Sequence, residues 1–268
     1  MPDVISQDAI SAAVERLDQA RTTRVPCAPV RDLIGTDDLA AAYSVQQGLV
    51  DRRRATGAGV VGRKIGATSE AVQSQLGVDQ PDFGYLLDEM DVSSQSPISM
   101  RTLLQPRVEA EVAFLMSRTV APATEDDITL ELVSLAVEAA LPALEIVDSR
   151  IENWDITFTD TVADNASSGL FVVGGAGRSL DEVTPVDVEM SLTINGEVRS
   201  SGNGAACLGD PLEALRWLAV QCYRFGDPLK AGHLVLSGAL GPFVPFAPGD
   251  KVEASISGFD PLVAEFKE

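Results

Sequence analysis

The sequence predicts an α+β protein in which a helical N-terminal region, residues 1–58, precedes a mixed, mainly β body, residues 59–268. Three observations predict this division. Apolar residues near the start recur at helical spacing. After Gly57 and Gly59 the sequence pattern changes to short runs that are typical of β-strands, and two stretches with a helical pattern interrupt the strands of the body. With 268 residues, of which 45% are apolar, the chain can bury a substantial core.

The N-terminal region is predicted to form two helices. Ile10, Val14 and Leu17 follow helical spacing, and a second helix is predicted over about residues 39–53, after Asp37. Prolines between the two stretches break the chain, so the helices are separate elements.

The first strand of the body, residues 60–66, places Gly62, Lys64 and Gly66 on one face. A single ammonium group would then lie between two residues without side chains. Because glycine leaves space where a side chain would stand, this face is predicted to have room for a ligand.

Beyond this strand, the sequence predicts a short helix that is capped by Thr68 or Ser69 and runs to about Leu76. The loop at residues 78–84 follows and contains Asp82 directly after a proline. Asp82 is therefore either a turn-forming residue or a functional acid, and the local sequence leaves both interpretations open.

The segment at residues 106–116 contains Glu109 and Glu111, one residue apart. Because side chains alternate along a strand, both carboxylates lie on one face, while the opposite face is apolar. Two like charges this close are tolerated when water, a basic group or a cation neutralises them, and hard divalent cations favour carboxylate oxygen. The pair indicates half a metal site; the alternative is a solvated strand with alternating glutamates.

A long helix is predicted over about residues 128–141, where Pro142 stops it, and a strand over residues 143–148 follows directly. Glu145 in this strand is positioned to meet the first two glutamates if the two strands pair. The sequence by itself does not establish that pairing.

The last third of the chain contains three further signals. A hairpin with an Asn-Gly type I′ turn is predicted at residues 191–198. A helix begins after Asp210, with Pro211 at its first position. Residues 234–237 and 252–256 are predicted to be strands.

Composition excludes several classes of function. The net charge of −20 argues against nucleic-acid binding, which depends on clustered Lys and Arg. The basic run Arg52–Arg54 lies at the end of a predicted helix, where cations complement the helix dipole, and we interpret it as structural.

The cysteines and the histidine exclude further kinds of site. Cys27, Cys207 and Cys222 lack the spacing of a disulfide framework or a zinc ribbon. The single histidine, His233, excludes multi-histidine zinc sites and is predicted to be structural, at the start of a strand. The acidic N-terminus and the absence of any apolar run long enough to cross a bilayer favour a cytoplasmic protein without membrane contact.

Several segments together resemble the 2-hydroxypenta-2,4-dienoate hydratases (2-keto-4-pentenoate hydratases) of the fumarylacetoacetate hydrolase superfamily. In the family's order, they are residues 62–69 (GRKIGATS), 76–84 (LGVDQPDFG), the E-x-E strand, 145–151 (EIVDSRI), 160–169 (DTVADNASSG) and 234–241 (LVLSGALG). The similarity covers roughly residue 39 to the end. Ala67 departs from the family signature, where a leucine is expected.

This resemblance implies a site and an architecture. It implies a divalent metal, Mg²⁺ or Mn²⁺, at Glu109, Glu111 and Glu145, and catalytic roles for Lys64 and Asp82. It also implies a core that is a distorted mixed β-roll or barrel, and a ring-like homo-oligomer, either a pentamer or a decamer. A downstream aldolase or decarboxylase is a further expected partner.

The expected reaction is that of a hydro-lyase acting on a small 2-hydroxydienoate in the meta-cleavage catabolism of aromatic compounds. In this hypothesis the metal chelates the substrate carboxylate and its 2-oxygen, Lys64 offsets negative charge, and Asp82 moves protons while water adds at C4. Ser167 and Ser237 are candidates for substrate contact. Asp148 and Arg150 are predicted to form an ion pair outside the ligand set.

Other activities fit parts of the same pattern. The sibling 2-oxo-3-hexenedioate (4-oxalocrotonate) decarboxylases share the metal site and release CO₂. An acylpyruvate hydrolase would need an acid/base pair near the N-terminal side of the core, and His233 lies far downstream. A non-catalytic partner subunit would not require Lys64 and the three glutamates. The substituent on the dienoate stays open, since no cationic partner for a second carboxylate is evident.

Overall fold

The computed structural model describes residues 5–69, 73–74, 78 and 80–268. Within that part of the chain, the helices are α1 (Gln7–Thr23), α2 (Arg31–Ile34), α3 (Leu39–Ala55), α4 (Leu130–Ser134), α5 (Phe158–Ala163) and α6 (Pro211–Arg224). The strands are β1 (Val60–Gly66), β2 (Asp82–Leu87), β3 (Ile98–Ser99), β4 (Arg107–Met116), β5 (Val137–Val147), β6 (Ser168–Val173), β7 (Glu189–Ile194), β8 (Glu197–Asn203), β9 (Leu234–Ala239), β10 (Val244–Pro245), β11 (Lys251–Ile256) and β12 (Leu262–Lys267). The short helix predicted from Thr68 or Ser69 to Leu76 falls mostly outside the described residues.

The two predicted N-terminal helices are present as α1 and α3. The Ser6 hydroxyl accepts a hydrogen bond from the Ala9 N–H at 3.2 Å and caps α1, and the Asp38 carboxylate does the same for the Ala41 N–H at 2.9 Å. Apolar side chains from both helices share one hydrophobic cluster with Val162 of α5. The helices are therefore packed onto the element that leads into β6.

Two sheets form the body. The larger has seven strands, in the order β2-β1-β9-β4-β5-β6 with β10 paired to β4, and the smaller has the order β3-β12-β11-β7-β8. The β1–β9 and β3–β12 pairs are parallel and the others are antiparallel, so the architecture is the predicted mixed α+β type. A single hydrophobic cluster joins the sheets, with Val112 and Phe114 from one and Val252 and Ile256 from the other.

The long helix predicted over residues 128–141 is wrong. Only Leu130–Ser134 is helical, and β5 runs continuously from Val137 to Val147, through Pro142. The alanine-rich stretch has a local preference for helix, but β4 and β6 flank it on both sides and provide partners for its backbone. Proline is compatible with the extended backbone here, and its carbonyl accepts a hydrogen bond from the Gly174 N–H at 3.1 Å.

The later local signals are confirmed. Asn195 and Gly196 have φ values of 54° and 84°, as a type I′ turn between β7 and β8 requires. The Asp210 carboxylate accepts a hydrogen bond from the Leu212 N–H at 2.8 Å and caps α6. None of the helices in the described ranges is long and apolar enough to cross a membrane.

Candidate active site

Three glutamates meet where β4 and β5 pair. In the antiparallel register Glu109 lies directly opposite Glu145, and Glu111 follows two residues later on the same face of β4. One carboxylate oxygen from each residue lies within 4.8 Å of the other two. The side chains are 4%, 0% and 0% exposed, so this is a buried cluster and not a solvated strand face.

The oxygens of this cluster are short of hydrogen-bond donors. Glu111 Oε2 accepts a hydrogen bond from the Gly238 N–H at 2.7 Å. Glu109 Oε2, Glu111 Oε1 and Glu145 Oε2 have no hydrogen-bond partner in the described part of the chain. Since buried polar groups are normally satisfied, three such carboxylates around one point suit a divalent cation with oxygen ligands.

The protonation of the cluster reflects burial and mutual repulsion. Burial, followed by the charge of Glu145, raises the pKa of Glu109 to about 8. The same two causes raise the pKa of Glu111 well above its ordinary range, and burial raises the pKa of Glu145. Without a cation the three carboxylates disfavour one another's charge, and a bound cation would remove that penalty.

Lys64 reaches the cluster from β1. Its Nζ lies 3.2 Å from Glu145 Oε1 and donates a hydrogen bond to the Ala166 carbonyl oxygen at 2.9 Å. Burial alone would lower the pKa of Lys64, but the charge of Glu145, reinforced by the other carboxylates, raises it. The ammonium group is therefore charged and held beside the glutamates.

The prediction that glycines leave room for a ligand beside Lys64 is wrong for Gly62. A Cβ atom at Gly62 would lie 1.8 Å from the Leu234 carbonyl oxygen, because the backbone of β9 packs against this position. A Cβ atom at Gly66 would lie 2.1 Å from Asp82 Oδ1 and 3.3 Å from Lys64 Nζ. The absence of a side chain at Gly62 therefore allows β9 to pack closely, and its absence at Gly66 leaves space for the Asp82 side chain.

Asp82 begins β2 directly opposite Gly66 and is 2% exposed. Its Oδ2 accepts a hydrogen bond from Thr161 Oγ1 at 3.2 Å, while its Oδ1 has no partner among the residues that the structure describes. Burial raises the pKa of Asp82, and the charge of Lys64 opposes that rise. A carboxyl group with an elevated pKa beside a charged lysine is suited to accept and return a proton.

The two predicted serines lie in different surroundings. Ser167 is the last of three consecutive residues with left-handed φ values, 54°, 52° and 50°, and its Oγ is 3.4 Å from Thr161 Oγ1. Ser237 is fully buried in β9, directly before Gly238, whose N–H donates to Glu111, and its carbonyl oxygen accepts a hydrogen bond from Cys207 Sγ at 2.8 Å. Ser167 lines the cavity described next, and Ser237 is not among its described lining residues.

A cavity opens onto Lys64, Asp82 and Glu109. The other described residues that line it are Gly66, Ala67, Val147, Trp154, Thr161, Ala166, Ser167 and Phe243. Sequence reasoning missed Thr161, although this threonine lies in the 160–169 segment. It also missed Trp154 and Phe243, which carry no motif that marks them in the sequence.

Arg107 was also missed, although it stands two residues before Glu109 in the same alternating strand. Its Cζ lies 4.4 Å from the ring centroid of Trp154 and 4.9 Å from that of Phe243. Burial lowers the pKa of Arg107. The period of two that identified the glutamates would have placed Arg107 on their face.

The predicted ion pair between Asp148 and Arg150 is wrong. Arg150 pairs with the buried Asp164, and the Asp148 carboxylate accepts hydrogen bonds from the Leu104 and Gln105 N–H groups at 3.0 and 2.6 Å. Asp164 thus neutralises Arg150 and Asp148 accepts from backbone amides, so the partners of both acids lie outside the glutamate cluster. Their partners come from a distant loop and a distant turn, which local spacing does not reveal.

The remaining sequence predictions concern structural groups. His233 precedes β9, and its Nδ1 accepts a hydrogen bond from the Lys230 N–H at 3.3 Å. Burial lowers its pKa to about 4, so the imidazole is neutral near pH 7. Arg52–Arg54 at the end of α3 form ion pairs with nearby acids, as a structural role predicts.

Comparison with protein families and known proteins adds independent information. The model of the fumarylacetoacetate (FAA) hydrolase C-terminal family matches residues 60–267. The chain is 47% identical over 264 residues to a protein named TodF product hydratase from Pseudomonas putida, with 98% of this chain and 97% of the relative covered. It is 46% identical to a 2-keto-4-pentenoate hydratase from Burkholderia vietnamiensis, with 97% and 98% covered.

Among solved structures, the chain is similar to the 4-oxalocrotonate decarboxylase from Pseudomonas putida G7 complexed with magnesium and adipate. The TM-score is 0.90 at 31% identity, and 98% of this chain and 99% of that chain are covered. The similarity therefore extends through the N-terminal helices as well as the sheets.

Proposed function

The chain belongs to the fumarylacetoacetate hydrolase family, and we propose that it is a metal-dependent hydro-lyase. Its reaction is the addition of water to 2-hydroxypenta-2,4-dienoate, or to a substituted 2-hydroxydienoate, to give a 4-hydroxy-2-oxo acid in aromatic meta-cleavage catabolism. The observation that supports this proposal most strongly is the group of three buried glutamates, which have oxygens without hydrogen-bond partners and lie beside a charged lysine. The near full-length identity to proteins named as hydratases supports water addition as the reaction.

We assign the metal to Glu109, Glu111 and Glu145, with Mg²⁺ or Mn²⁺ as the ion. The donor set is all carboxylate oxygen, which these hard cations favour, and the unpartnered oxygens point to one place. When bound, such an ion supplies a Lewis acid for the carboxylate and 2-oxygen of the substrate. The 31% identical decarboxylase whose structure contains magnesium supports this choice.

Lys64 supplies a fixed positive charge where negative charge develops on the substrate 2-oxygen. It is oriented by Glu145 and by the Ala166 carbonyl, so little reorganisation is needed when that charge appears. The substrate is itself an anion and three carboxylates already lie nearby. A permanently charged lysine therefore offsets repulsion as well as stabilising the enolate.

Asp82 moves the protons in this proposal. It first takes the proton of the 2-hydroxyl group and returns it to C5, which converts the dienol into the conjugated 2-oxo-3-enoate and leaves Asp82 ionised again. It then removes a proton from water as the oxygen adds to C4, and returns that proton to C3. Thr161 orients the Asp82 carboxylate through Oδ2, and Ser167 lies next to Thr161 along the cavity wall.

A decarboxylase is the second candidate, because the structural match at TM-score 0.90 is to an enzyme of that name. The two activities separate in one experiment. The protein is given Mg²⁺ with 2-hydroxypenta-2,4-dienoate and, separately, its 5-carboxy analogue, 2-hydroxyhexa-2,4-dienedioate, while diene absorbance and CO₂ are both followed. Loss of absorbance without CO₂ supports the hydratase; CO₂ release from the carboxylated compound would transfer the assignment to the decarboxylase.

Assembly and location are proposals that rest on the family resemblance. We propose a homo-oligomer, a pentamer or a decamer, in the cytoplasm, and a downstream aldolase or decarboxylase as a partner enzyme. Phe225 and Leu135 are large apolar side chains that are 53% and 58% exposed in the single chain, which is consistent with burial in a subunit interface. Sedimentation velocity tests this, and a sedimenting monomer at micromolar concentration would contradict it.

A further inference from the structure

The turn at residues 165–167 lies against Lys64 and has an uncommon backbone conformation. Asn165, Ala166 and Ser167 have φ values of 54°, 52° and 50°, and none of the three is glycine. Residues with side chains adopt this left-handed region at a steric cost, so a run of them persists only where the surrounding structure holds it in place. The contacts that hold this turn therefore indicate what it does.

The turn supplies a directional contact for the Lys64 ammonium group. Lys64 Nζ donates a hydrogen bond to the Ala166 carbonyl oxygen at 2.9 Å. Glu145 Oε1 lies 3.2 Å from the same nitrogen but has no hydrogen-bond partner, so within the described ranges the Ala166 carbonyl is the hydrogen-bond acceptor of this group. Glu145 contributes charge, whereas the carbonyl fixes one N–H direction and leaves further N–H groups for the cavity that Lys64 lines.

The side-chain amide of Asn165 fastens the turn to β2. Its Oδ1 accepts a hydrogen bond from the Tyr85 N–H at 2.8 Å, and its Nδ2 donates one to the Tyr85 carbonyl oxygen at 3.0 Å. Because β2 is an edge strand of the larger sheet, these two backbone groups lie on the side that has no neighbouring strand. The amide therefore takes the place of a strand partner.

Gly84 allows the turn to approach the sheet closely. It lies directly opposite Lys64 in the register of β1 and β2, and a Cβ atom at this position would be 2.5 Å from the Asn165 carbonyl oxygen. The chain that enters the turn is held by Arg150, which pairs with Asp164. Asn165 is thus the member of the turn whose side chain ties it to the strand beside β1.

We propose that Asn165 is a positioning residue that clamps the turn to β2, so that the Ala166 carbonyl oxygen keeps the Lys64 ammonium group aimed at the cavity. This inference rests on the proposed function, in which Lys64 stabilises negative charge that develops on the substrate 2-oxygen. Asn165 is not among the described residues that line the cavity. Its loss therefore affects the chemical step and not the binding of the substrate.

The test separates the clamp from the backbone conformation. Asn165→Gly removes both side-chain hydrogen bonds but makes the left-handed φ favourable, so a purely conformational role would leave kcat unchanged. We expect kcat for dienoate hydration by the Mg²⁺-loaded protein to fall at least about tenfold, because a small displacement of a catalytic group is costly, while KM stays within about twofold. Asn165→Asp keeps an acceptor for the Tyr85 N–H and loses the donor, so it should retain part of kcat.

Asn195→Gly is the matched control. Asn195 also has a φ of 54°, and its side chain also makes two hydrogen bonds, to the Asp250 carboxylate and from the Lys251 N–H, but it lies in the exposed turn between β7 and β8. This variant should keep the parental kcat. The rise in Tm on addition of Mg²⁺ should be the same in the parent and in Asn165→Gly, because the substitution changes no proposed metal ligand.

Crystal structures of the Mg²⁺-loaded parent and of Asn165→Gly give a measurement that does not depend on turnover. The distance from Lys64 Nζ to the Ala166 carbonyl oxygen should be under about 3.2 Å in the parent and over about 3.5 Å in the variant. A parental kcat in Asn165→Gly, an unchanged distance, a smaller Mg²⁺ shift than in the parent, or an equal loss of kcat in Asn195→Gly would each overturn the assignment.

The two proposals can fail separately. A parent that hydrates the dienoate, with an Asn165→Gly variant that is equally fast, would leave the proposed function intact and remove the role of Asn165. If the parent hydrates no dienoate, the proposed function fails, and the distance in the two crystal structures then decides whether Asn165 holds the carbonyl oxygen at Lys64.

Discussion

Glu109→Gln is the most informative perturbation of the proposed metal site. The substitution keeps the size of the side chain, removes one charge from a cluster whose members raise one another's pKa, and removes one ligand oxygen. Turnover should fall by at least about a hundredfold, as expected when a preorganised electrostatic group is lost. The metal-free protein should not lose stability, because repulsion among buried carboxylates decreases.

The magnitude of the metal effect follows from linkage. At a free Mg²⁺ concentration of about 100 times Kd, the parent gains about 2.7 kcal/mol of unfolding free energy. For a chain of this size that corresponds to a rise in Tm of roughly 5 °C. If the lost ligand weakens binding about a hundredfold, the variant gains only about 0.4 kcal/mol, a rise of under roughly 1 °C.

The assay is calorimetric melting of both proteins with and without Mg²⁺, together with Glu265→Gln, which changes an exposed glutamate on β12. The control should show the same shift as the parent. Equal shifts in the parent and in Glu109→Gln would refute the ligand role. A metal-free Glu109→Gln protein that melts well below the parent would contradict the claim that the cluster repels itself.

Three further perturbations test other parts of the reasoning. Thr161→Val should lower kcat about tenfold with little change in KM and shift the acidic limb of the kcat pH profile, while Thr161→Ser should retain activity; an unchanged profile in the valine variant would contradict the positioning role. His233→Asn should flatten the pH dependence of stability in acid. Burial lowers the pKa of His233 to about 4 in the folded protein, whereas the pKa in the unfolded chain is about 6.5. The contribution of the neutral imidazole to the free energy of unfolding is therefore fully present above pH 6.5 and is lost as the pH falls toward 4. Urea titrations at pH 7 and pH 4.5 measure the free energy of unfolding of parent and variant. If both lose the same amount of stability between the two pH values, His233 is not the cause of the loss. Gly62→Ala should destabilise the protein by at least about 3 kcal/mol, because its Cβ would lie 1.8 Å from the Leu234 carbonyl oxygen; an unchanged urea midpoint would show that β9 can move away.

Local signals in the sequence determined much of the fold. The helical spacing near Val14, the Asn195-Gly196 turn and the cap at Asp210 each depend on residues a few positions apart, and the structure contains all three elements. The period of two at Glu109 and Glu111 likewise establishes that both carboxylates share a face. Such features are decided by steric and hydrogen-bonding preferences within one turn or one strand.

The tertiary structure decided the rest, because the remaining contacts join residues far apart in the chain. Register between β4 and β5 brings Glu145 opposite Glu109, and the same pairing converts the stretch around Pro142 from predicted helix into strand. The contact of Arg107 with Trp154 and Phe243 has no local signal at all. The sequence contains these residues, but only the packing of the sheet and its loops brings their side chains close enough to interact.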